Sequence, residues 1–158
     1  MKGTRRDVLA LGAAGLFLSA TQSTAGDAPE LSEVEKKNEK MVNDFCAAWS
    51  TLDVNKIADF LSDKVIYQMI DNVPLIKGKE AFTKVVGAYL SKVDKAQWDI
   101  SRSYVIGDLV LNQRVDNFDF KGDRADAHFK VIGFFLIRDG KIAEWKDYRL
   151  PGDKGSDS

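Results

Sequence analysis

The sequence predicts an α+β domain in which helices come first and an antiparallel sheet follows. Three observations carry this expectation. Apolar residues recur at helical spacing up to about residue 90, the period falls to two from Trp98 onward, and short glycine-containing turns separate the later runs. Helices gathered before hairpin-connected strands pack on one face of the sheet. A chain of 158 residues with 44% apolar, 10% aromatic and 30% charged content has the composition of one folded domain and not of a disordered segment. It shows no internal repeat and no low-complexity block, so one domain is expected over residues 31–150.

The first residues read as a targeting segment. Arg5-Arg6 precede an apolar stretch that ends at Leu18, and Ser23-Thr24-Ala25 supplies a small-residue cleavage site. The run Val8 to Leu18 is too short to cross a bilayer as a helix. The pair Arg5-Arg6 between Thr4 and Asp7-Val8-Leu9 resembles the twin-arginine export signal. Residues 1–25 are therefore expected to direct export to the periplasm and to leave no stable membrane anchor once cleaved. Residues 26–30 form a polar tether, and residues 151–158 a flexible tail. Cleavage after Ala25 removes Lys2, Arg5 and Arg6 against a single acid, Asp7, which leaves the remaining chain more acidic.

Ser32-Glu33-Val34-Glu35 fits a capping box and opens the first helix, which carries Val34, Met41, Val42, Phe45, Ala48, Trp49 and Leu52. Asp53 is placed to cap a second, short helix with Val54, Ile57, Phe60 and Leu61. Lys64 to Ile70 reads as a strand. Gly78 precedes a third helix whose apolar face holds Ala81, Phe82, Val85, Val86, Tyr89 and Leu90. Four β-rich runs follow: Trp98–Ile106, Leu109–Phe120, Ala125–Ile137 and Lys141–Leu150. Gly107-Asp108, Lys121-Gly122-Asp123 and Asp139-Gly140 join them, and turns this short impose antiparallel pairing.

Composition narrows the chemistry. Lys plus Arg is 23 and Asp plus Glu is 24, a net charge of −1, which weighs against nucleic acid as a partner. One Cys and one His exclude a disulfide framework within the chain, a Cys-rich zinc site and a multi-histidine metal centre. The spacing Asp116, Asp119, Asp123, Asp126 falls across strands and a turn, with Arg124 among them, and reads as a solvated hairpin. No metal and no cofactor are expected. His128 reads as a structural residue, exposed or satisfied.

Carboxylates, Arg, Tyr and amides are what is left. Arg114 and Asp116 lie two apart on one strand and share a sheet face with Asn112 and Phe118. On the last run Asp147 shares a face with Trp145. A carboxylate on an apolar face needs a partner, and Arg114 is available to both acids. One Asp kept ionised can take a proton from water, while the other, kept neutral by burial and by its like-charged neighbour, can donate one. An isolated Asp titrates near pKa ~3.9, so the donor role at neutral pH requires an upward shift. The same spacing equally suits an edge salt bridge between Arg114 and Asp116, with Asp147 capping a hairpin in solvent.

Arg114-Val115-Asp116, Ile132-Gly133-Phe134-Phe135 and Gly140-Lys141-Ile142-Ala143-Glu144-Trp145-Lys146-Asp147-Tyr148 resemble limonene-1,2-epoxide hydrolase and its relatives in the NTF2-like, or SnoaL-like, superfamily. The resemblance runs from the first helix to about Leu150. It implies a cone-shaped barrel, N-terminal helices packed on a curved, mainly antiparallel sheet, with a deep pocket between them. It makes Asp147 the base that activates water, Asp116 the acid that protonates the epoxide oxygen, Arg114 the bridge and Tyr67 the residue that positions water. The companion Asn falls on Asn72 through Asn72-Val73-Pro74-Leu75 if a short insertion is allowed, and on Met69 in an ungapped match. Phe118, Phe129 and Val131 line the pocket in this match, and plain core packing accounts for them equally well. A homodimer through the sheet is implied by the resemblance alone.

The leading expectation is cofactor-independent hydrolysis of a small apolar epoxide to a diol. The alternatives are NTF2-like isomerase or cyclase chemistry, which needs a single acid–base carboxylate, and a non-catalytic hydrophobic-ligand-binding domain on the same fold.

Overall fold

The computed structural model describes residues 30–151. The expected export signal over 1–25, nearly all of the tether and all of the tail but Pro151 lie outside the described residues.

Ser32 caps α1 (Glu33–Ala48), and the capping box forms in full. Ser32 Oγ accepts from the Glu35 backbone N–H, and the Glu35 carboxylate accepts from the Ser32 N–H at 2.9 Å. A short 3-10 turn, Trp49–Thr51, leads to α2 (Val54–Ala58), capped by the Asp53 carboxylate. This helix ends earlier than the sequence pattern implies. Phe60 lies beyond it, and Leu61 begins β1 (Leu61–Gln68), where its burial comes from the sheet. A two-residue strand β2 (Ile76–Lys77), too short to leave a periodic signal, precedes α3 (Lys79–Leu90).

The remaining strands are β3 (Val93–Ile106), β4 (Leu109–Phe120), β5 (Ala127–Arg138) and β6 (Lys141–Arg149). β3 starts five residues before the expected Trp98, because Val93 to Gln97 pair with the far end of β4. β5 starts at Ala127 and not Ala125.

The sheet order is β2-β1-β6-β5-β4-β3, so the sheet is open, with β2 and β3 at its edges. Every pairing is antiparallel except that of β1 with β6, which is parallel. Hairpin turns dictate the run β3 to β6. β1 joins by a long-range pairing that no local turn specifies. Register shifts in β3 and between β5 and β6 bend the sheet around the helices.

The core lies between the inner face of the sheet and the helices and is aromatic. Phe45 of α1 stands edge-on to Trp49, Phe60, Trp98, Phe135 and Trp145, with ring centroids 5.1–6.4 Å apart. Such edge-to-face pairs bring the positive ring rim to the negative face. Burying this apolar surface supplies the main driving force for folding. The tip of the β3–β4 hairpin is tied to α1, where Glu35 Oε1 accepts from the Gly107 N–H and Asn38 Nδ2 donates to the Gly107 carbonyl, both at 2.9 Å.

Candidate active site

The strict alternation of β4 places Val110, Asn112, Arg114, Asp116, Phe118 and Phe120 inward, all buried. On β6 Trp145 and Asp147 alternate inward in the same way, and a register shift against β5 brings Ile142 to the buried side as well. Gly133 of β5 pairs with Asn112 on one side and with Asp147 on the other, so β5 brings the two polar groups into one cluster.

Arg114 sits at its centre with its side chain fully buried. Nε donates to Asp116 Oδ1 at 2.7 Å and Nη2 to Asp116 Oδ2 at 3.1 Å, a two-pronged pair. Nη2 also donates to Asp147 Oδ1 at 2.8 Å, and Nη1 to Asn112 Oδ1 at 3.0 Å. The guanidinium lies over the Trp98 ring, 4.3 Å from its centroid. Asp147 Oδ1 accepts a second bond from Trp145 Nε1 at 2.9 Å, leaving Oδ2 with no protein partner among the described residues. The salt-bridge arrangement at a solvated edge does not occur: Arg114, Asp116 and Asp147 are each at most 5% exposed.

Asn112 and Gly133 are site residues that sequence reasoning did not single out. Asn112 orients Arg114 and donates to the buried Cys46 Sγ at 3.5 Å, while burial pushes the thiol up to about 12 and keeps it unreactive. A side chain at position 133 would overlap Arg114 Nη1 and come within 2.8 Å of Asn112 Oδ1, so only glycine leaves the guanidinium its place. The signal for Asn112 was present, since it shares the inward face with Arg114. For Gly133 there was none without the cross-strand register.

Electrostatics follow from this burial. Burial raises the Asp116 carboxyl to about 7, with Arg114 pulling it down and the Asp147 charge pushing it further up. Burial likewise raises Asp147, opposed by Arg114 and by the bonds from Trp145 and Arg114. The two acids share a cation and titrate as one pair. Desolvation works against the Arg114 charge, but Asp147 and Asp116 together outweigh it and hold the guanidinium protonated.

The pair forms part of the wall of a cavity of about 570 Å³, open mouth included. Phe118, Phe129 and Val131 line it, as do Tyr67, Trp49 and Trp98. Tyr67 is buried and stacked on Trp145 at 3.8 Å, and burial holds its hydroxyl well above its ordinary pKa. The indole N–H groups of Trp49 and Trp98 are buried without a hydrogen-bond partner among the described residues.

Asn72 is the exception among the expected site residues. It is exposed in the turn before β2 with φ of 66°, a left-handed conformation that Asn tolerates better than most residues, and it does not line the cavity. Met69 lines the cavity instead. The strand ends at Gln68, so the chain turns away before Asn72 can reach the site. His128 is exposed and bonds Asn117 Oδ1 through Nδ1 at 2.7 Å. Among the described residues no group of three or more His, Cys, Asp or Glu stands close enough to hold a metal ion.

Fold and site together define a class: an open α+β sheet wrapped by helices around an apolar cavity that contains one buried carboxylate–guanidinium–carboxylate cluster. The chain belongs to the SnoaL-like domain family, whose model matches residues 42–145. It is similar in fold to an LEH-like epoxide hydrolase from M. tuberculosis, with 23% identity, 73% of this chain and 84% of that one covered and a TM-score of 0.65. It is also similar to SalBIII, an epoxide hydrolase/cyclase-like enzyme with a role in pyran ring formation in the polyether salinomycin, at 13% identity, 75% and 95% coverage and a TM-score of 0.67. A protein from Catenulispora acidiphila with a ketosteroid isomerase-like fold, in complex with trimethylamine, matches at 18% identity, 71% and 86% coverage and a TM-score of 0.62. At these identities the likeness is one of fold.

Proposed function

We propose that this domain is a cofactor-independent epoxide hydrolase. The observation that carries the reading is the placement of two buried carboxylates on one arginine at the wall of an apolar cavity. The pair holds one proton near neutral pH. Asp147, through its free Oδ2, takes a proton from water as the water oxygen bonds to an epoxide carbon. The carbon–oxygen bond of the ring breaks, and the epoxide oxygen takes the proton carried by Asp116. The product is a diol with one oxygen from water; the proton gained by Asp147 then returns to Asp116, directly or through solvent. In the resting protein both Asp116 oxygens accept from Arg114, which favours the ionised carboxylate, so this mechanism requires the shared proton to move to Asp116 when substrate binds. Tyr67 supplies a hydroxyl on the same cavity wall for positioning the water.

Incubation with a panel of small apolar epoxides in ¹⁸O-labelled water tests this. Labelled diol is the expected product, and a folded protein that yields none from any member overturns the reading.

A second reading, isomerase or cyclase chemistry, is favoured by one observation: Met69 stands on the cavity wall where a second water-binding amide was expected. That chemistry needs one carboxylate. Comparable loss on Asp116→Asn and Asp147→Asn argues against it, and activity that survives one of the two changes argues for it.

We also propose that residues 1–25 direct export to the periplasm by the twin-arginine route and that the domain forms a homodimer through the outer face of the sheet. Fractionation of cells carrying an Arg5→Lys/Arg6→Lys variant tests the route: the variant is expected to be retained in the cytoplasm, and unchanged export rejects it.

A further inference from the structure

The cavity contains one charge that the proposed chemistry does not use. Arg149 ends β6 on the same face as Asp147, two residues further along the strand and so roughly 7 Å away. It lines the cavity, is exposed, and lies over the Phe129 ring at 5.1 Å from the centroid. Among the described residues its side chain has no hydrogen bond and no acidic partner. By contrast Asp116 and Asp147 are both bonded to Arg114, and with one shared proton that cluster is neutral. Arg149 is therefore the uncompensated charge of the cavity wall. A second exposed arginine, Arg124, lies 3.8 Å from the centroid of Phe120 and bears electrostatically on Tyr89, another wall residue. Both guanidinium groups thus lie against aromatic rings, and Arg149 stands on the wall of a largely apolar cavity.

We infer that the ligand is an amphiphile whose carboxylate meets Arg149 at the mouth and whose apolar body fills the cavity. A guanidinium prefers a carboxylate because its planar donor fork matches the two oxygens. Contact with the Phe129 ring restrains the Arg149 side chain, so less side-chain freedom is lost on binding. In the proposed reaction this makes the substrate an epoxide of an apolar carboxylic acid, with the ring held beside Asp116 and Asp147 and the acid group toward solvent. The inference rests on the reading of this cavity as the substrate site and adds the substrate class.

Binding, not turnover, is the test. Decanoate and decanamide share the apolar body and differ in charge, and Trp49 and Trp98 on the cavity wall report occupancy through intrinsic fluorescence. The wild-type protein is expected to bind decanoate about tenfold more tightly than decanamide at low salt, with the preference shrinking as salt is added. In Arg149→Gln the preference disappears while the decanamide affinity stays the same, which also shows that the cavity is intact. Equal or tighter binding of the amide by wild type, a preference that survives Arg149→Gln, or binding of neither probe overturns the inference. A protein that prefers the carboxylate yet makes no diol keeps this inference and loses the hydrolase reading.

Discussion

Asp116 and Arg114 show how much a two-residue spacing can reveal. Their common face was readable from β-strand alternation, and so was their need for a partner if that face is buried, because a buried charge without one is costly. Whether that face was the core was not readable. The same letters fit a solvated edge, and only the helices that cover β4 decide otherwise. Two outcomes are expected at this scale. Asp116→Asn removes the proton donor but leaves Arg114 its bonds to Asp147 and Asn112. Turnover of epoxide should fall by at least about 100-fold with the fold unchanged, as measured by steady-state kinetics beside circular dichroism. Gly133→Ala puts a methyl group where Arg114 Nη1 lies and crowds Phe135. It should destabilise the domain by about 1–3 kcal/mol in urea denaturation and lower turnover, because the guanidinium has to move. Asn72 marks the limit of the sequence at this scale. A motif match placed it in the site, and a backbone turn places it outside.

The helix termini and the β-hairpins were legible as elements because their signals are local. The capping box of α1 is written in four consecutive residues and forms as written. Ser32→Ala removes the hydroxyl that accepts from the Glu35 N–H and is expected to cost about 1 kcal/mol, visible as a lowered melting temperature. Glu35 adds a pH dependence to the same end of the helix. The bond from the Gly107 N–H, assisted by Ser32, lowers its carboxyl to about 2. A lowered folded-state pKa stabilises above the unfolded value and is lost as pH falls through the folded one. Between about pH 4.5 and 2 the wild type should therefore lose stability more steeply than Glu35→Gln in thermal melts. The elements that escaped sequence reading were the non-local ones. β2 is only two residues long, and β1 finds β6 in parallel across about half the chain length.

At the scale of the whole domain, the acid pair couples protonation to both activity and stability. The folded-state pKa of Asp116 is raised to about 7, so near neutrality the native state holds a proton that the unfolded chain releases from about pH 4 upward. Stability should accordingly decline as pH rises across that window, the reverse of the Glu35 effect, and Asp116→Asn should flatten the decline. Epoxide turnover should fall above about pH 7, as the pair loses its shared proton, with a slope of one proton in a pH–rate profile. The outer sheet face presents half-buried Leu109, Leu111, Ile132, Phe134 and Leu136. Sedimentation of the proposed homodimer should shift to monomer in Phe134→Glu, and an unshifted profile rejects that interface.

Local signals and composition settle the order of helices and strands, rule out a disulfide framework within the chain, a Cys-rich zinc site and a multi-histidine centre, and align Arg114 with Asp116 on one strand face. These are consequences of short-range periodicity, turn chemistry and composition, all of which act over a few residues. The tertiary structure decided what depends on distant segments meeting. It brought Asp147 to Arg114 across β5, made Gly133 the space that admits the guanidinium, put Met69 and not Asn72 at the cavity, and left the Arg149 side chain on the cavity wall with no acidic partner among the described residues. Burial is a property of the assembled core, and burial is what turns two ordinary aspartates into a pair that holds a proton near neutral pH.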